Sequence, residues 1–509
     1  MQMIGSAGRF PTFQQSALAS ADSSTDSSRS RSRGERFATQ SVAMTAALMS
    51  AACVVLTIAF GAVGSATAAD RKPNILLIVG DDMGYADVGF HGGKEIPTPH
   101  LDGLAASGVR FTSGYVSGPY CSPTRAGLLT GRYQTRFGHE FNPGGANTGL
   151  PLTEQTIADR LRAVGYRTAL IGKWHLGSAP EMQPQKRGFD EFFGFLGGAH
   201  SYFDKGGVLR GTEPVKDLDY TTDAFAREAS TFIEKNREQP WLLYLAFNAV
   251  HTPMDATKER LAKFENIPDK TRRTHNAMLL AMDEAIGSVL SKLRATGQLD
   301  NTLVTFISDN GGPTMPGTTV NGSRNAPLRG SKRTTLEGGV RVPFLVSWPA
   351  RIKPGVFDRP VIQLDLHATA LAAAGVEARP DWKLDGVDLL PYLSGDKKEP
   401  PHDSLYWRFG QQMAIRKGDW KLVRYDLAAE TPAGESPLRG VSAQKLYNLA
   451  DDIGESRDQA AAQPDKVREL EAAWKAWDKD NAPPLWGGNA GAAAGEGNAK
   501  KKAKGKAKT

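Results

Sequence analysis

Short, continuous apolar runs recur along the middle of the chain and alternate with segments of helical periodicity. The runs cover 74–79, 167–171, 241–247, 302–307 and 342–348. Uninterrupted apolar runs of this length are typical of strands that are buried on both faces of a sheet. Helical patterns cover 152–164, with Thr153 as the predicted cap, 276–293 and 364–374. The alternation predicts an α/β fold, in which helices flank a large, mostly parallel sheet.

Polar residues follow the predicted strands at the point where each strand ends. They are Asp81 and Asp82, Lys173 and His175, His251, and Asp309 and Asn310. Because the carboxyl ends of parallel strands meet at one edge of a sheet, where α/β proteins bind ligands, we expect these side chains to lie close together. Lys173 and His175 would point the same way if that segment stays extended. The aromatic- and glycine-rich stretch 187–202 is predicted to be a packed loop.

The chemistry of these side chains indicates a divalent cation next to an anion. Three carboxylates and one amide are hard oxygen ligands, which suit Ca²⁺ or Mg²⁺ better than zinc. Lysine, histidine and arginine side chains around such a cation would hold a small oxyanion. The combination predicts sulfuryl or phosphoryl transfer, in which charge stabilisation dominates.

Cys121 lies in a stretch of small residues and prolines, 117–132, that leads into a helix. Residues 124–129 predict the first turns of that helix, and Gly131 would end it. A cysteine at a helix start lies near free backbone N–H groups, which would lower the pKa of its thiol. The glycine, serine and proline residues around it argue against a core position, although a buried, inert thiol is the alternative.

Residues 1–69 have the features of an export leader. Arginines precede an apolar run at 41–64, and the small-residue sequence Ala-Thr-Ala follows at 66–68. An uncleaved anchor is the alternative, because the run is close to the length of a membrane span. Cleavage is favoured, which predicts an exported protein in the periplasm or outside the cell, without a stable membrane anchor. It would remove Cys53 and leave Cys121 as the one cysteine.

The net charge of +7 does not indicate a nucleic-acid partner. The leader carries +2 and the lysines of 500–508 carry +6, which leaves −1 for the rest of the chain. The body therefore has no excess of basic residues from which a nucleic-acid face could be built.

The pattern changes near residue 400. Short strands at 405–409, 413–416 and 420–425 predict a small antiparallel sheet, and 465–477 predicts a helix. The predicted organisation is a leader (1–69), a catalytic domain (70–400), a C-terminal antiparallel-sheet subdomain (401–486) and a disordered, lysine-rich tail (487–509).

From about residue 74 to about 480, the chain resembles the type I, formylglycine-dependent sulfatases of the alkaline phosphatase superfamily. The pentapeptide at 121–125, Cys-Ser-Pro-Thr-Arg, matches the family signature C-x-P-x-R, and 126–131 continues it. Further segments match in family order: 80–82, 172–175, 251–253, 308–311 and 332–343. The resemblance is to arylsulfatases and N-acetylgalactosamine sulfatases.

The resemblance implies a maturation step and a mechanism. A formylglycine-generating enzyme would read Cys121, Pro123 and Arg125 and oxidise the cysteine to formylglycine. The hydrated aldehyde then attacks the sulfur of a sulfate ester, the alcohol leaves, and loss of sulfate restores the aldehyde. By resemblance, the metal, usually Ca²⁺ and otherwise Mg²⁺, is bound by Asp81, Asp82, Asp309, Asn310 and the residue derived from Cys121.

The remaining matched residues would handle the sulfate. By resemblance, Arg125 fixes the formylglycine, Lys173 bridges it and the sulfate, and His175 helps to deprotonate the diol. His251 and Lys332 would hold the sulfate, and His251 is the favoured donor of a proton to the leaving oxygen.

The substrate is left open by the sequence. Loops at 136–142, 195–205 and 313–324 are the expected pocket walls, and the last two carry polar and aromatic groups suited to a sugar. Together with the resemblance, which implies a sulfated glycan or an aryl sulfate as substrate, they favour an exo-acting sulfatase on sulfated carbohydrates. The alternatives are an arylsulfatase of broad specificity, a phosphonate or phosphodiester hydrolase of the same superfamily, and a non-catalytic protein that binds sulfated glycans.

Overall fold

The computed structural model describes residues 71–432 and 435–487. The predicted leader, with Cys53, and the predicted tail beyond residue 487 lie outside the described residues. Within the described part of the chain, no helix combines the length and the apolar character needed to cross a bilayer.

A ten-stranded mixed sheet forms the centre of the protein, and two further short strands form a separate pair. The strands are β1 Asn74–Gly80, β2 Val109–Phe111, β3 Gly114–Tyr115, β4 Arg167–Lys173, β5 Glu191–Phe195, β6 Val208–Arg210, β7 Glu213–Pro214, β8 Trp241–Ala246, β9 Thr302–Ser308, β10 Phe344–Ser347, β11 Gly355–Phe357 and β12 Val361–Ile362. The order in the large sheet is β11-β2-β10-β9-β1-β8-β4-β5-β6-β7, and β3 and β12 form the separate pair. The central strands β9, β1, β8, β4 and β5 run parallel to one another, and β10 joins β9 in the antiparallel sense.

Helices cover both faces of this sheet, as the apolar runs predict. The helices are α1 Pro99–Ala106, α2 Cys121–Thr130, α3 Ile157–Arg162, α4 Thr221–Lys235, α5 Lys258–Ala262, α6 Lys270–Ala295, α7 Glu337–Val340, α8 Leu364–Ala373, α9 Leu390–Leu393 and α10 Pro464–Asp478. Along β1, Leu76 and Ile78 pack into the core with α4 and α6, while Ile75, Leu77 and Val79 pack on the other side with α2, α3 and α8. The strand is therefore buried on both faces, which explains its uninterrupted apolar sequence.

A second, four-stranded antiparallel sheet forms the C-terminal part of the fold. It contains β13 Ser404–Phe409, β14 Gln412–Lys417, β15 Trp420–Arg424 and β16 Lys445–Asn448, paired in that order, and α10 packs against it. The predicted fold class is confirmed. Of the four strands of this second sheet, β16 was not predicted.

Two local predictions are wrong. The stretch 187–202 is not all loop, because Glu191–Phe195 is β5, and Gly194 of β5 lies opposite Gly172 of β4. A Cβ atom on Gly194 would lie 1.9 Å from the Gly172 carbonyl oxygen, so this close pairing requires a glycine. The glycine interrupts the sequence pattern that would otherwise have indicated a strand. Helix α3 begins at Ile157, and its cap is Thr156, because Thr156 and Asp159 form a reciprocal capping box.

Candidate active site

The register of the central strands places the predicted polar residues at one edge of the sheet. Gly80 of β1 lies opposite Ser308 of β9, so both strands end at the same level. The Asp309 N–H then donates to the Gly80 carbonyl at 3.0 Å, and the Asp81 N–H donates to the Ala249 carbonyl at 2.9 Å. The turns after β1, β8 and β9 therefore meet at a single point, as we expected from their sequences.

Helix α2 places Cys121 at the same edge of the central sheet. The helix begins at Cys121 itself and ends at Gly131, which has a φ of +71°. The Ser122 hydroxyl donates to the His175 carbonyl at 2.6 Å, which ties the first turn of α2 to the segment after β4. The Cys121 Sγ lies 3.7 Å from Asp81 Oδ1.

The environment of Cys121 differs from the sequence-based expectation. The residue is only 1% exposed, so it is part of the interior. Burial raises the pKa of the Cys121 thiol to about 12, although Lys173 and Lys332 act in the opposite direction. The predicted lowering of this pKa is wrong, because the loss of water around a thiolate outweighs the stabilisation from a helix N-terminus and two nearby ammonium groups.

Arg125 and Lys173 neutralise two of the carboxylates. Arg125 donates from Nε and Nη2 to Asp309 Oδ2 at 3.0 and 2.7 Å, and its Nη2 lies 3.5 Å from Asp81 Oδ2. Lys173 Nζ pairs with Asp81. Burial alone would raise the pKa of Asp81, but Lys173, His251 and Arg125 hold it well below its usual range. Burial, together with the charge of Asp81, raises the pKa of Asp309 to about 6.

The third carboxylate, Asp82, has a separate set of partners. Lys332 Nζ lies 2.7 Å from it, His251 Nε2 lies 3.6 Å away, and the Asn310 amide donates to its Oδ1 at 2.8 Å. Burial would lower the pKa of Lys332, but the charge of Asp82 raises it well above its usual value, so this ammonium stays protonated. Asp82 itself has a left-handed backbone, with a φ of +61°.

The two predicted site histidines are both buried. Burial, reinforced by Lys173, lowers the pKa of His175 well below its usual value, and burial also lowers the pKa of His251. His251 Nδ1 lies 2.5 Å from the Thr252 carbonyl, so its Nε2 is the nitrogen that faces Asp82. Lys173 and His175 do not lie on one extended segment, because β4 ends at Lys173 and His175 has a φ of +58°.

The oxygen atoms at this point suit a hard divalent cation. One ligand atom from each of Asp81, Asp82, Cys121 and His251 lies within 4.8 Å of the others. Asn310 Oδ1 is buried and has no hydrogen-bond partner among the described residues, so it is available as a further ligand. A site dominated by carboxylate and amide oxygens fits Ca²⁺ or Mg²⁺ better than zinc.

The three loops that were predicted as pocket walls all contact site residues or their immediate neighbours. In 313–324, Asn321 and Ser323 donate to the Asp82 carbonyl at 3.1 and 2.9 Å. In 195–205, the Tyr202 hydroxyl donates to the His251 carbonyl at 2.9 Å. In 136–142, Asn142 Oδ1 accepts from the Ser122 N–H at 3.1 Å.

Two residues of the site were not predicted from the sequence. The Tyr244 hydroxyl lies 3.3 Å from Arg125 Nη1, and a lone hydroxyl within the apolar run 241–247 was the available signal. Tyr120 is the other residue, and the Lys332 ammonium lies over its ring, 5.5 Å from the centroid. Its position directly before Cys121 could have identified it.

Comparisons with known proteins show the family to which the chain is similar. A family model described as Sulfatase matches residues 73–376, and a model described as N-sulphoglucosamine sulphohydrolase, C-terminal, matches 330–432. Arylsulfatase A of Bos taurus is 35% identical over 446 residues, which cover 78% of this chain and 85% of the relative. N-acetylgalactosamine-6-sulfatase of Mus musculus is 34% identical over 386 residues, which cover 70% of this chain and 72% of the relative.

A solved structure shares both the fold and much of the sequence. The crystal structure of Ps i-CgsB in complex with k-i-k-neocarrahexaose has a TM-score of 0.75 and 36% identity, and the match covers 83% of this chain and 96% of that one. The family match spans more than half of this chain and includes every residue of the site described above. The chain therefore belongs to the sulfatase family and is a sulfuric ester hydrolase.

Proposed function

We propose that the protein removes sulfate from the ends of sulfated carbohydrates, and that its nucleophile is formylglycine made from Cys121. The position of Cys121 carries this proposal. Its Sγ is buried 3.7 Å from Asp81 Oδ1, where the electrostatic influence of both Lys173 and Lys332 reaches it. A thiol with a pKa of about 12 is a poor nucleophile near neutral pH, which favours a role as a precursor.

The metal would be held by the oxygen atoms of Asp81, Asp82, Asp309 and Asn310, together with the residue at position 121. Ca²⁺ or Mg²⁺ bound there would stabilise negative charge and make the attacking hydroxyl more acidic. Arg125 acts to lower the pKa of Asp309, which burial raises, and holds this carboxylate in place through its two-pronged contact with Oδ2.

The cationic and imidazole side chains would bind the sulfate and move protons. Lys173 and Lys332 are buried ammonium groups that can donate to sulfate oxygens. His175 would accept the proton of the attacking hydroxyl. His251 would deliver a proton to the leaving oxygen from Nε2, because its Nδ1–H is already directed at the Thr252 carbonyl.

The relatives support a carbohydrate substrate. One of them is named as an N-acetylgalactosamine-6-sulfatase, and the similar solved structure holds a neocarrahexaose. Arylsulfatase A, which is similar over 85% of its length, supports the second candidate, an arylsulfatase of broad specificity.

Two measurements test the proposal. Peptide mass spectrometry of protein from its own host should show that the side chain at position 121 has lost sulfur and gained an aldehyde, and a retained thiol would reject the formylglycine mechanism. The same preparation should release sulfate from terminally sulfated oligosaccharides faster than it cleaves phosphodiesters or 4-nitrophenyl sulfate. Faster phosphodiester cleavage, or faster release from the aryl ester, would reject the carbohydrate assignment.

We also propose that the leader at 1–69 directs export to the periplasm or beyond, and that a formylglycine-generating enzyme acts on the chain during maturation. The apolar run and the Ala-Thr-Ala motif support the first part. N-terminal sequencing of the mature protein should give a start near residue 69 or 70, and an intact leader on the mature protein would contradict export by cleavage.

A further inference from the structure

A small set of non-glycine residues has a left-handed backbone in this structure. Within the described residues they are Asp82, His175, Arg333, Lys383 and Glu455. Asp82 and His175 belong to the active site, and aspartate and histidine are among the residue types that tolerate this conformation best. Arginine is not among them. Arg333 has a φ of +71°, a conformation that glycine would adopt without steric cost.

The main chain of Arg333 is fixed at the rim of the active site. Its N–H donates to the Pro119 carbonyl at 2.7 Å, and its own carbonyl accepts from Gln412 Nε2 at 2.9 Å. Pro119 lies two residues before Cys121. The residue before Arg333 is Lys332, whose ammonium contacts Asp82. The backbone therefore holds Arg333 between the cysteine segment and the anion-binding lysine.

The side chain of Arg333 has little to bind within the protein. It is half-buried, and within the described residues its side chain makes one long hydrogen bond, 3.4 Å from Nη1 to the Gly317 carbonyl. Gly317 lies in the 313–324 loop, which forms one wall of the site. Among residues 71–432 and 435–487, no carboxylate lies within ion-pair distance of Arg333. In contrast, Arg324, from the same loop, pairs with Glu95 at 3.2 Å.

An arginine with free donors at this place is suited to an anion. The planar guanidinium binds sulfate or carboxylate oxygens in a two-pronged way, which an ammonium group cannot do. Lys173 and Lys332, whose charges act on Cys121, are already assigned to the scissile sulfate. The donors of Arg333 therefore remain for a different group of the same substrate.

We propose that Arg333 binds a second anionic group of the substrate, a sulfate or a carboxylate on the saccharide that carries the scissile sulfate. The inference rests on the proposed function and narrows the substrate class to saccharides with at least two negative charges. It also explains why an arginine occupies a position that is sterically best for glycine.

The test compares saccharides that differ only in the second charge. The set is one disaccharide with a single sulfate, the same disaccharide with an additional sulfate, and a third with a uronate carboxylate in place of the additional sulfate. For the protein with Arg333→Gln, KM for the doubly charged substrates should rise about 10- to 100-fold, since a hydrogen bond between charged groups is lost. KM for the singly sulfated one should change less than about 2-fold. The better of the two doubly charged substrates identifies the anion.

Control variants separate recognition from structure. Arg227→Gln removes an arginine outside the site that is already paired, with Asp219 at 2.6 Å, and it should leave all three KM values unchanged. Arg333→Gly should lose the preference for the second charge while its Tm stays equal or rises, because glycine accepts the positive φ. An equal loss with all three substrates, or a fall in Tm, would mean that the side chain only shapes the loop, and unchanged KM values would also overturn the proposal.

Binding measurements keep this inference separate from the proposed reaction. Isothermal titration calorimetry with the Cys121→Ala protein, in which no nucleophile can form, compares the affinities for the same three saccharides. If wild-type protein cleaves none of them, the proposed function fails. The Arg333 proposal is then still decided by whether Arg333→Gln abolishes tighter binding of the doubly charged saccharides.

Discussion

Replacing Lys421 with methionine would test how the C-terminal sheet holds the segment that follows Lys332. Lys421 lies on β15, and its Nζ is 2.8 Å from Glu337 Oε1 and 2.9 Å from Glu455 Oε1. All three side chains are completely buried. We call this group the buried charge cluster. Glu337 begins α7, five residues after Lys332, so the cluster connects the C-terminal sheet to the active-site segment.

The expected loss of stability follows from the burial of these groups. Removing one partner of a fully buried ion pair leaves a charge without compensation and costs about 3–5 kcal/mol. With an unfolding entropy of about 2.1 cal/mol/K per residue over roughly 400 residues, each kcal/mol corresponds to about 1.2 °C, so Tm should fall by about 4–6 °C. Methionine fills most of the space of the lysine stem, and loss of packing should therefore add little.

The loss of stability caused by Lys421→Met should also depend on pH. Burial raises the pKa of Glu455 to about 7 from an ordinary value of 4.5, although Lys421 acts to lower it. The folded state thus holds a proton that the unfolded state releases, and Glu455 makes stability fall as pH rises from about 4.5 to about 7. Without Lys421 this pKa rises further. The destabilisation by Lys421→Met should therefore be smaller at pH 5 than at pH 8.

Chemical denaturation at pH 5 and pH 8, followed by circular dichroism, measures both effects. The matched control is the double variant Lys421→Met and Glu455→Gln, which also removes the carboxylate that was left unpaired, while Glu337 keeps its contact with Arg341 at 3.2 Å. It should recover a large part of the lost stability at pH 8. A loss below about 1 kcal/mol for the single variant, or a loss that is the same at both pH values, would refute this account of the cluster.

Three further predictions concern the active site. Cys121→Ala should abolish sulfate release while Tm changes by less than about 3 °C, since only one buried sulfur atom is lost; a rate near that of the wild type would contradict the assigned nucleophile. Gly198→Ala should lower kcat about 10- to 100-fold, because the new Cβ would lie 2.4 Å from His175 Nε2. Gly197→Ala should not, because its Cβ would meet only the Ala199 carbonyl oxygen, at 3.8 Å. Treatment with a chelator should abolish activity and weaken the binding of inorganic sulfate measured by calorimetry. Both should return with Ca²⁺ or Mg²⁺ and not with Zn²⁺, and full activity after exhaustive chelation would count against a metal at Asp82 and Asn310.

The position of the site could be predicted from the sequence because it depends on local patterns. An apolar run long enough for a strand, followed directly by Asp81 and Asp82 or by Asp309 and Asn310, fixes where each side chain lies relative to its own strand. Parallel pairing then brings the strand ends together, and the pairing of Gly80 with Ser308 does so here. No long-range information is needed beyond the fold class.

The properties that depend on tertiary burial could not be predicted. Cys121 follows small residues and prolines that suggest an accessible turn, yet the elements packed around it leave 1% of its surface exposed and reverse the expected direction of its pKa shift. The buried charge cluster joins residues 84 positions apart, and nothing near Glu337 indicates its partner Lys421. Strand β5 was not predicted, because its close approach to Gly172 requires a glycine at position 194, and a glycine interrupts the sequence pattern that is typical of a strand.

The balance of charge at the site links the metal to the substrate. Three carboxylates, Asp81, Asp82 and Asp309, contact three cations, Arg125, Lys173 and Lys332, and the two nearby histidines have lowered pKa values. With all six groups ionised, the side chains sum to about zero, which gives an anionic ester little electrostatic attraction. A divalent cation on the carboxylates would bring the sum to about +2 and would compete with Lys173 and Lys332 for their carboxylate partners. The ammonium groups would then be available for sulfate oxygens, so the metal and the anion should bind cooperatively. Weak sulfate binding after chelation should therefore be restored by the metal alone, before any turnover.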